Sequence, residues 1–143
     1  MPYTSARLRT LVKGDWQYGR IEVRAKIPAG QGIWPAIWML PTDYAYGGWA
    51  ASGEIDIMEA VNLPVGGFEK QIHGTLHYGR EWPGNVHSGT SFTFADSDPA
   101  ADFHSYAIEW SPREIRWFVD AVHYATQKSS GWYAQVNGGG RVS

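Results

Sequence analysis

Cysteine is absent from the 143 residues, which excludes disulfide bonds and thiolate metal sites. No stretch approaches the roughly 18 consecutive apolar residues that a membrane-spanning helix needs. An excess of charge of one sign is also lacking, since 12 basic and 14 acidic residues give a formal net charge of −2. This balance argues against nucleic acid or a membrane surface as a partner. The first ten residues, MPYTSARLRT, lack the charged-then-apolar pattern of a signal peptide.

Aromatic residues, in contrast, are abundant: eight Trp, eight Tyr and five Phe make up 15% of the chain. One interpretation is a β-rich core, because aromatic side chains favour strands. The other is a carbohydrate-binding cleft, where flat rings pack against the apolar faces of sugar rings. Composition leaves both interpretations open. The length predicts one domain, residues 1–143, that is large enough for a hydrophobic core.

Short strand-like segments dominate the chain. Apolar and charged residues alternate after Arg20, which predicts a half-buried strand with alternate residues from Ile21 to Ile27, including Val23, on its buried face. The segment EIRWFVDAVHYATQ, residues 114–127, is predicted to be one strand, joined to HSYAIEWSP by a Ser-Pro-Arg link. Further strands are predicted at 33–40, 54–61, 71–79 and 90–94. Strands separated by turn residues, without an amphipathic helix, predict an all-β antiparallel sandwich or barrel.

The stretch GEIDIMEAVN, residues 53–62, places three acids in six residues: Glu54, Asp56 and Glu59. Residues two apart in a strand share a face, so Glu54 and Asp56 point the same way and Glu59 points to the other side. A β-bulge at Ile57-Met58 would insert one residue and return Glu59 to the face of the other two acids. The odd spacing therefore predicts a bulge if the three acids form one site.

Three explanations for the acidic group remain open on spacing alone. Carboxyl groups crowded on one face raise the pKa of at least one of them, as acid–base catalysis requires. Cleavage of a glycosidic bond uses one protonated and one ionised carboxyl group, which fits such a group. A solvated strand face is the second explanation. A calcium site is the third, although calcium-binding loops rarely consist of Ile and Met.

Several blocks in order resemble glycoside hydrolase family 16. GEIDIMEAVN is similar to the active-site strand of that family, and YGRIEVRAKIPAGQGIWPAIWMLP, HGTLHYG, EWPGNVHSG and DFHSYAIEWSPREIRWFVD are similar to the surrounding segments. The resemblance covers roughly residues 4–127. It implies a jelly-roll, concanavalin A-like β-sandwich with a cleft for a polysaccharide substrate.

The resemblance also implies roles for the three acids. Glu54 matches the nucleophile of the family and Glu59 its acid/base, and Asp56 matches the carboxyl group that assists both. Met58 matches the extra residue present in laminarinases, agarases and carrageenases, and the flanking blocks are most similar to the endo-β-1,3-glucanases. The implied activity is retaining hydrolysis of β-1,3-glucan or mixed β-1,3-1,4-glucan. Agarase- or carrageenase-type specificity is the alternative within the branch.

Five further residues are candidates for substrate binding. Trp38 and Trp49 match aromatic positions of the family's cleft, and His77 matches a histidine on the leaving-group side. Trp34 is a further cleft candidate, while Trp82 stands in a polar loop that suits a cleft wall. For Trp34 and Trp38, which lie in an apolar run, packing in the core is the alternative interpretation.

Members of the family usually have a longer catalytic domain, so the chain is expected to be a partial domain that lacks terminal strands. Open sheet edges would favour self-association. A non-catalytic carbohydrate-binding relative is therefore the alternative to an enzyme. The resemblance implies an extracellular location. Calcium is common in the family, but no metal or other cofactor is predicted for this chain.

Overall fold

The computed structural model describes residues 4–63, 70–136 and 140–142, and these residues form an almost entirely β structure. One 3₁₀ helix, Ser129–Gly131, interrupts the strands. The ten strands are β1 (Gly19–Ala25), β2 (Ala36–Met39), β3 (Glu54–Glu59), β4 (Gln71–Tyr78), β5 (Val86–Thr93), β6 (His104–Trp110), β7 (Glu114–Val119), β8 (Val122–Lys128), β9 (Ala134–Gln135) and β10 (Arg141–Val142). Within the described ranges, no helix has the length and hydropathy needed to cross a membrane.

Two four-stranded antiparallel sheets enclose the hydrophobic core. One sheet has the order β1-β6-β7-β8, the other has the order β2-β3-β4-β5, and β9 pairs with β10. The core combines apolar residues of both sheets, among them Ile57, Met58 and Ile72 on one side and Tyr106 and Trp117 on the other. The predicted all-β antiparallel sandwich is confirmed.

The first strand is less buried than its alternating pattern predicts. Ile21 and Ala25 pack against the core, and Ile27, just past the end of β1, is buried. Val23 remains 37% exposed, so its predicted burial is wrong. The reason lies in the topology, because β1 is an edge strand and is covered on one side only, by β6.

The segment 114–127 is a hairpin, so the prediction of a single strand there is wrong. Val119 pairs with Val122, and the two residues between them, Asp120 and Ala121, have φ angles of 47° and 65°. A two-residue turn with both φ values positive matches the right-handed twist of the two strands. The usual sequence signal for such a turn is Asn-Gly or Asp-Gly. The turn was not predicted because the sequence here is Asp-Ala.

Candidate active site

The three acids lie on one face of β3 because the strand contains a bulge. On β4, Asp56 pairs with Thr75 and Glu59 pairs with His73, so two residues of β3 oppose the single residue Gly74. On the other side of β3, the register with β2 shifts between Ile37 and Trp38. The predicted bulge at Ile57-Met58 is confirmed.

The partners on β4 show which way the acids point. Glu54, Asp56 and Glu59 pair with His77, Thr75 and His73, respectively, and these three β4 residues alternate along a regular strand. Alternate residues of a strand share a face, so the three acids also share one. The two bulge residues, Ile57 and Met58, are instead buried in the hydrophobic core.

Asp56 is the buried member of the acidic group. Its side chain is 2% exposed, whereas Glu54 and Glu59 are half-buried. Burial raises the pKa of Asp56 to about 8, and the neighbouring charges of Glu59 and Glu54 and a hydrogen bond with Glu54 act in the same direction. At neutral pH Asp56 therefore retains its proton and places a neutral acid between the two glutamates.

Each glutamate accepts a hydrogen bond from a different tryptophan. Trp49 Nε1 donates to Glu54 Oε2 at 2.7 Å, and Trp34 Nε1 donates to Glu59 Oε1 at 3.0 Å. Trp49 lies in the loop between β2 and β3, and Trp34 lies just before β2. A hydrogen bond to a carboxyl oxygen restricts the orientation of the side chain. Sequence reasoning placed both tryptophans at the cleft but did not identify them as donors to the glutamates.

The core alternative for Trp34 and Trp38 is wrong. Trp34 is 65% exposed and Trp38 is 37% exposed, while their neighbours Ile37 and Met39 pack against the core. Trp38 pairs with Asp56 in the register and so lies on the side of the acids. The guanidinium carbon of Arg7 lies 4.6 Å from the centroid of the Trp38 ring, a cation–π contact. Arg7 precedes every strand, and no pattern in the sequence identified it.

His77 adjoins both the acids and the aromatic wall. Its Nε2 lies 3.2 Å from Asp56 Oδ2, and its ring centroid lies 5.5 Å from that of Trp49. His87 of β5 lies on the other side, with its ring centroid 5.6 Å from that of His77. The structure therefore brings His77 beside Asp56 and opposite Glu54, and its role on the leaving-group side stays a prediction. His87 was missed, because it pairs with His77 only through the β4–β5 register.

Trp82 reaches the site through its backbone. Its N–H donates to Trp49 O at 2.8 Å, which fixes the turn before β5 against the loop that carries Trp49. The Trp82 side chain is 72% exposed. The exposed indole thus belongs to a turn that contacts the Trp49 loop, and its role as a cleft wall stays a prediction.

Trp117 supports the bulge from the core side. Its Nε1 donates a 2.9 Å hydrogen bond to the carbonyl oxygen of Asp56, and the ring is completely buried. Gly74, opposite the bulge, makes room for this ring: a Cβ on Gly74 would lie 2.5 Å from Trp117 Cδ1. The absence of a side chain at Gly74 thus permits the packing that holds the bulge.

Glu54, Asp56 and His77 are also the residues that come nearest to a metal-binding group within the described ranges. One ligand atom from each lies within 4.8 Å of the other two. Calcium requires six to eight oxygen ligands, and an imidazole with a protonated carboxyl group suits it poorly. The donor set instead suits proton transfer and nucleophilic attack, because carboxyl groups in different environments, one buried and one half-buried, stand side by side.

Comparisons with known proteins agree with this geometry. The family model described as glycosyl hydrolases family 16 matches residues 2–137. A β-glucanase of Rhodothermus marinus is 49% identical over 132 residues, which cover 85% of this chain and 42% of the relative. A β-1,3-glucan-binding protein of Penaeus monodon is 45% identical over 130 residues, covering 85% of this chain and 34% of the relative.

A solved structure also resembles this chain closely. The laminarinase from Rhodothermus marinus superposes with a TM-score of 0.74 at 42% identity, over 85% of this chain and 47% of that chain. This similarity confirms the predicted jelly-roll sandwich. The chain spans less than half the length of each of these three proteins.

Proposed function

Since the chain belongs to glycoside hydrolase family 16, we propose that it acts as a retaining endo-glycosidase on β-1,3-glucan or mixed β-1,3-1,4-glucan. The observation that carries the proposal is the convergence of Glu54, Asp56 and Glu59 on one face of a bulged strand. Two relatives named for β-glucan cleavage, the β-glucanase and the laminarinase, support the substrate class.

In the proposed mechanism, Glu54 attacks the anomeric carbon and Glu59 protonates the leaving glycosidic oxygen. The C–O bond to the leaving sugar breaks as the bond to a Glu54 oxygen forms, and Glu59 then removes a proton from the water that releases the product. The Trp49 hydrogen bond orients the Glu54 carboxyl group for this attack. Asp56, protonated at neutral pH, separates the two glutamates without adding a third negative charge.

The exposed aromatic side chains supply the proposed sugar-binding surface. Trp38 and Trp82 are exposed, and Trp34 combines an exposed ring with the hydrogen bond to Glu59. His77 lies next to Asp56 at this surface, with its Nε2 3.2 Å from Asp56 Oδ2. An endo-acting cleft needs aromatic rings that pack against the apolar faces of sugar rings next to the two catalytic glutamates.

The test of the mechanism is stereochemical. Proton NMR of laminarin digestion should show the β-anomer of the new reducing end first, before mutarotation. Glu59→Gln should lower kcat about 10²–10⁴-fold, the usual contribution of a general acid, and Glu54→Gln should abolish turnover. Glu114→Gln, on β7 of the other sheet, is the matched control and should retain activity. An α-anomer as first product would overturn the retaining mechanism.

A carbohydrate-binding function without catalysis is the second candidate. The relative from Penaeus monodon, named as a β-1,3-glucan-binding protein, favours it. Calorimetric titration with laminari-oligosaccharides, run beside a reducing-sugar assay, separates the two functions: binding without sugar release supports a binding protein.

Agarose and carrageenan in the same reducing-sugar assay test the alternative specificities. Light scattering of the purified chain checks self-association through its edge strands.

A further inference from the structure

The loop that carries Trp49 is fixed to the turn before β5 by two adjacent residues. Glu81 Oε1 accepts a 2.6 Å hydrogen bond from Gly48 N, and Trp82 N donates a 2.8 Å hydrogen bond to Trp49 O. The two bonds flank the Trp49 residue, one on each side of its Cα. Glu81 lies 33 residues from Gly48 in the sequence, so this contact is purely tertiary.

The two glycines before Trp49 fit the Glu81 side chain. A Cβ on Gly47 would lie 2.8 Å from Glu81 Oε1, and one on Gly48 would lie 3.3 Å from the same atom. Gly47 also has a φ of +118°, which residues with a side chain rarely adopt. The Gly47-Gly48 pair thus lets the carboxyl group of Glu81 lie directly on the backbone, where it accepts the amide hydrogen.

The loop that carries Trp49 is also held by contacts within the loop itself, in addition to the Glu81 hydrogen bond. Ser52 Oγ accepts from Tyr46 N and donates to Gly47 O, and Ala50 and Ala51 are buried. The indole of Trp49 then projects from a fixed backbone to donate to Glu54 at 2.7 Å. A small rotation of the Gly48-Trp49 peptide would move that indole away from the carboxylate, because hydrogen bonds weaken steeply with angle.

We propose that Glu81 is a positioning residue for the nucleophile: it orients Trp49, whose indole N–H fixes the orientation of the Glu54 carboxyl group. This inference rests on the proposed function of Glu54 and extends it to a residue outside the acidic strand. The Glu81 carboxyl group accepts its hydrogen bond from the Gly48 amide, outside the acidic group.

The first test does not depend on catalysis. In ¹⁵N–¹H spectra, the indole resonance of Trp49 is assigned by its loss in Trp49→Phe. Glu81→Ala should shift or broaden this resonance, because the hydrogen bond to Glu54 loosens. Glu81→Gln keeps an acceptor oxygen at the same position and should restore the wild-type shift. Glu114→Ala should leave it unchanged. An unchanged Trp49 resonance in Glu81→Ala would overturn the proposal.

The second test uses the kinetics on laminarin. Glu81→Ala should lower kcat about 10-fold with little change in KM, since the Glu54 carboxyl group loses its fixed orientation. In a Trp49→Phe background the same substitution should have almost no further effect. Independent, additive losses in the double variant would contradict the proposal. If the wild-type chain shows no hydrolysis while the Trp49 resonance responds as expected, the proposed function fails and the positioning role stands.

Discussion

Trp34 Nε1 donates to Glu59 Oε1 across 25 residues of sequence, and it does so from an indole that is 65% exposed. Trp49 Nε1, from a different loop, likewise donates a hydrogen bond to Glu54 Oε2. The two glutamates of the proposed mechanism therefore have separate donors, so the environment of each can be altered without touching the other. This separation makes the assignment of their roles testable.

Removal of one indole donor should affect one catalytic step. Trp49→Phe keeps the ring but loses the hydrogen bond to Glu54, and a hydrogen bond to a charged group contributes about 1.5–3 kcal/mol. We expect kcat/KM on laminarin to fall about 10–100-fold. The change is measured by initial rates over a range of laminarin concentrations. Trp16→Phe, in the segment before β1, is the control and should leave kcat/KM unchanged. An unchanged kcat/KM in Trp49→Phe would contradict the proposed role of the bond.

Asp56 should make folding stability depend on pH. Its pKa is raised in the folded state to about 8 from 3.8, so between these values the unfolded chain releases a proton that the folded chain keeps. The contribution of Asp56 to stability is therefore fully present below pH 4 and is lost as the pH rises to 8, with a slope of at most about 1.4 kcal/mol per pH unit.

Asp56→Asn removes this titration and is the natural comparison. The free energy of unfolding of the variant minus that of the wild type should increase as pH rises through this window. Urea unfolding at pH 4, 6 and 8 measures it. Taking this difference cancels contributions to stability that are the same in both proteins, such as that of Asp120. Burial acts to raise the pKa of Asp120, but hydrogen bonds from His104 and the Ser105 amide outweigh burial and lower the pKa. A difference that stays constant with pH would show that Asp56 does not titrate anomalously.

Gly74→Ala should destabilise the bulge. The added methyl would lie 2.5 Å from Trp117 Cδ1 and 2.6 Å from the Tyr124 hydroxyl, so the buried ring must move away from the Asp56 carbonyl. Overpacking of this kind costs about 1–3 kcal/mol. Gly131→Ala is the matched control, because a Cβ there has nothing within 4 Å, and it should change stability by less than about 0.5 kcal/mol. Denaturant midpoints of the two variants provide the measurement, and equal midpoints would refute the account of the bulge.

Ala121→Gly should stabilise the β7–β8 hairpin. Ala121 has a φ of 65°, and the left-handed region costs a residue with a side chain roughly 1–2 kcal/mol. Glycine removes this strain but adds freedom to the unfolded chain, which leaves a net gain of about 0.5–1 kcal/mol. The melting temperature should rise by about 2 °C for a chain of this size. Ala125→Gly, within β8, should have the opposite effect, so a fall in both variants would argue against strain at the turn.

Local patterns in the sequence predicted the parts of the structure that depend on local geometry. In a regular strand, the period of two would place Glu54 and Glu59 on opposite faces. The bulge at Ile57-Met58 places both on the same face. The strands and the all-β class follow from the same periodicity. Where the local signal was weak, as at the Asp120-Ala121 turn, the prediction was wrong.

The tertiary structure alone decided which groups surround the acids. Trp34, Trp49 and Glu81 reach the site from separate loops, and Trp117 reaches it from the opposite sheet. Their contacts depend on how the two sheets and the loops pack, which strand periodicity does not encode. The high pKa of Asp56 has the same origin, since burial and the two neighbouring charges arise only when the fold is complete. The sequence by itself thus determined the spacing that requires a bulge if the three carboxyl groups form one site, while the packing around them decided which one keeps its proton and which donors hold the other two.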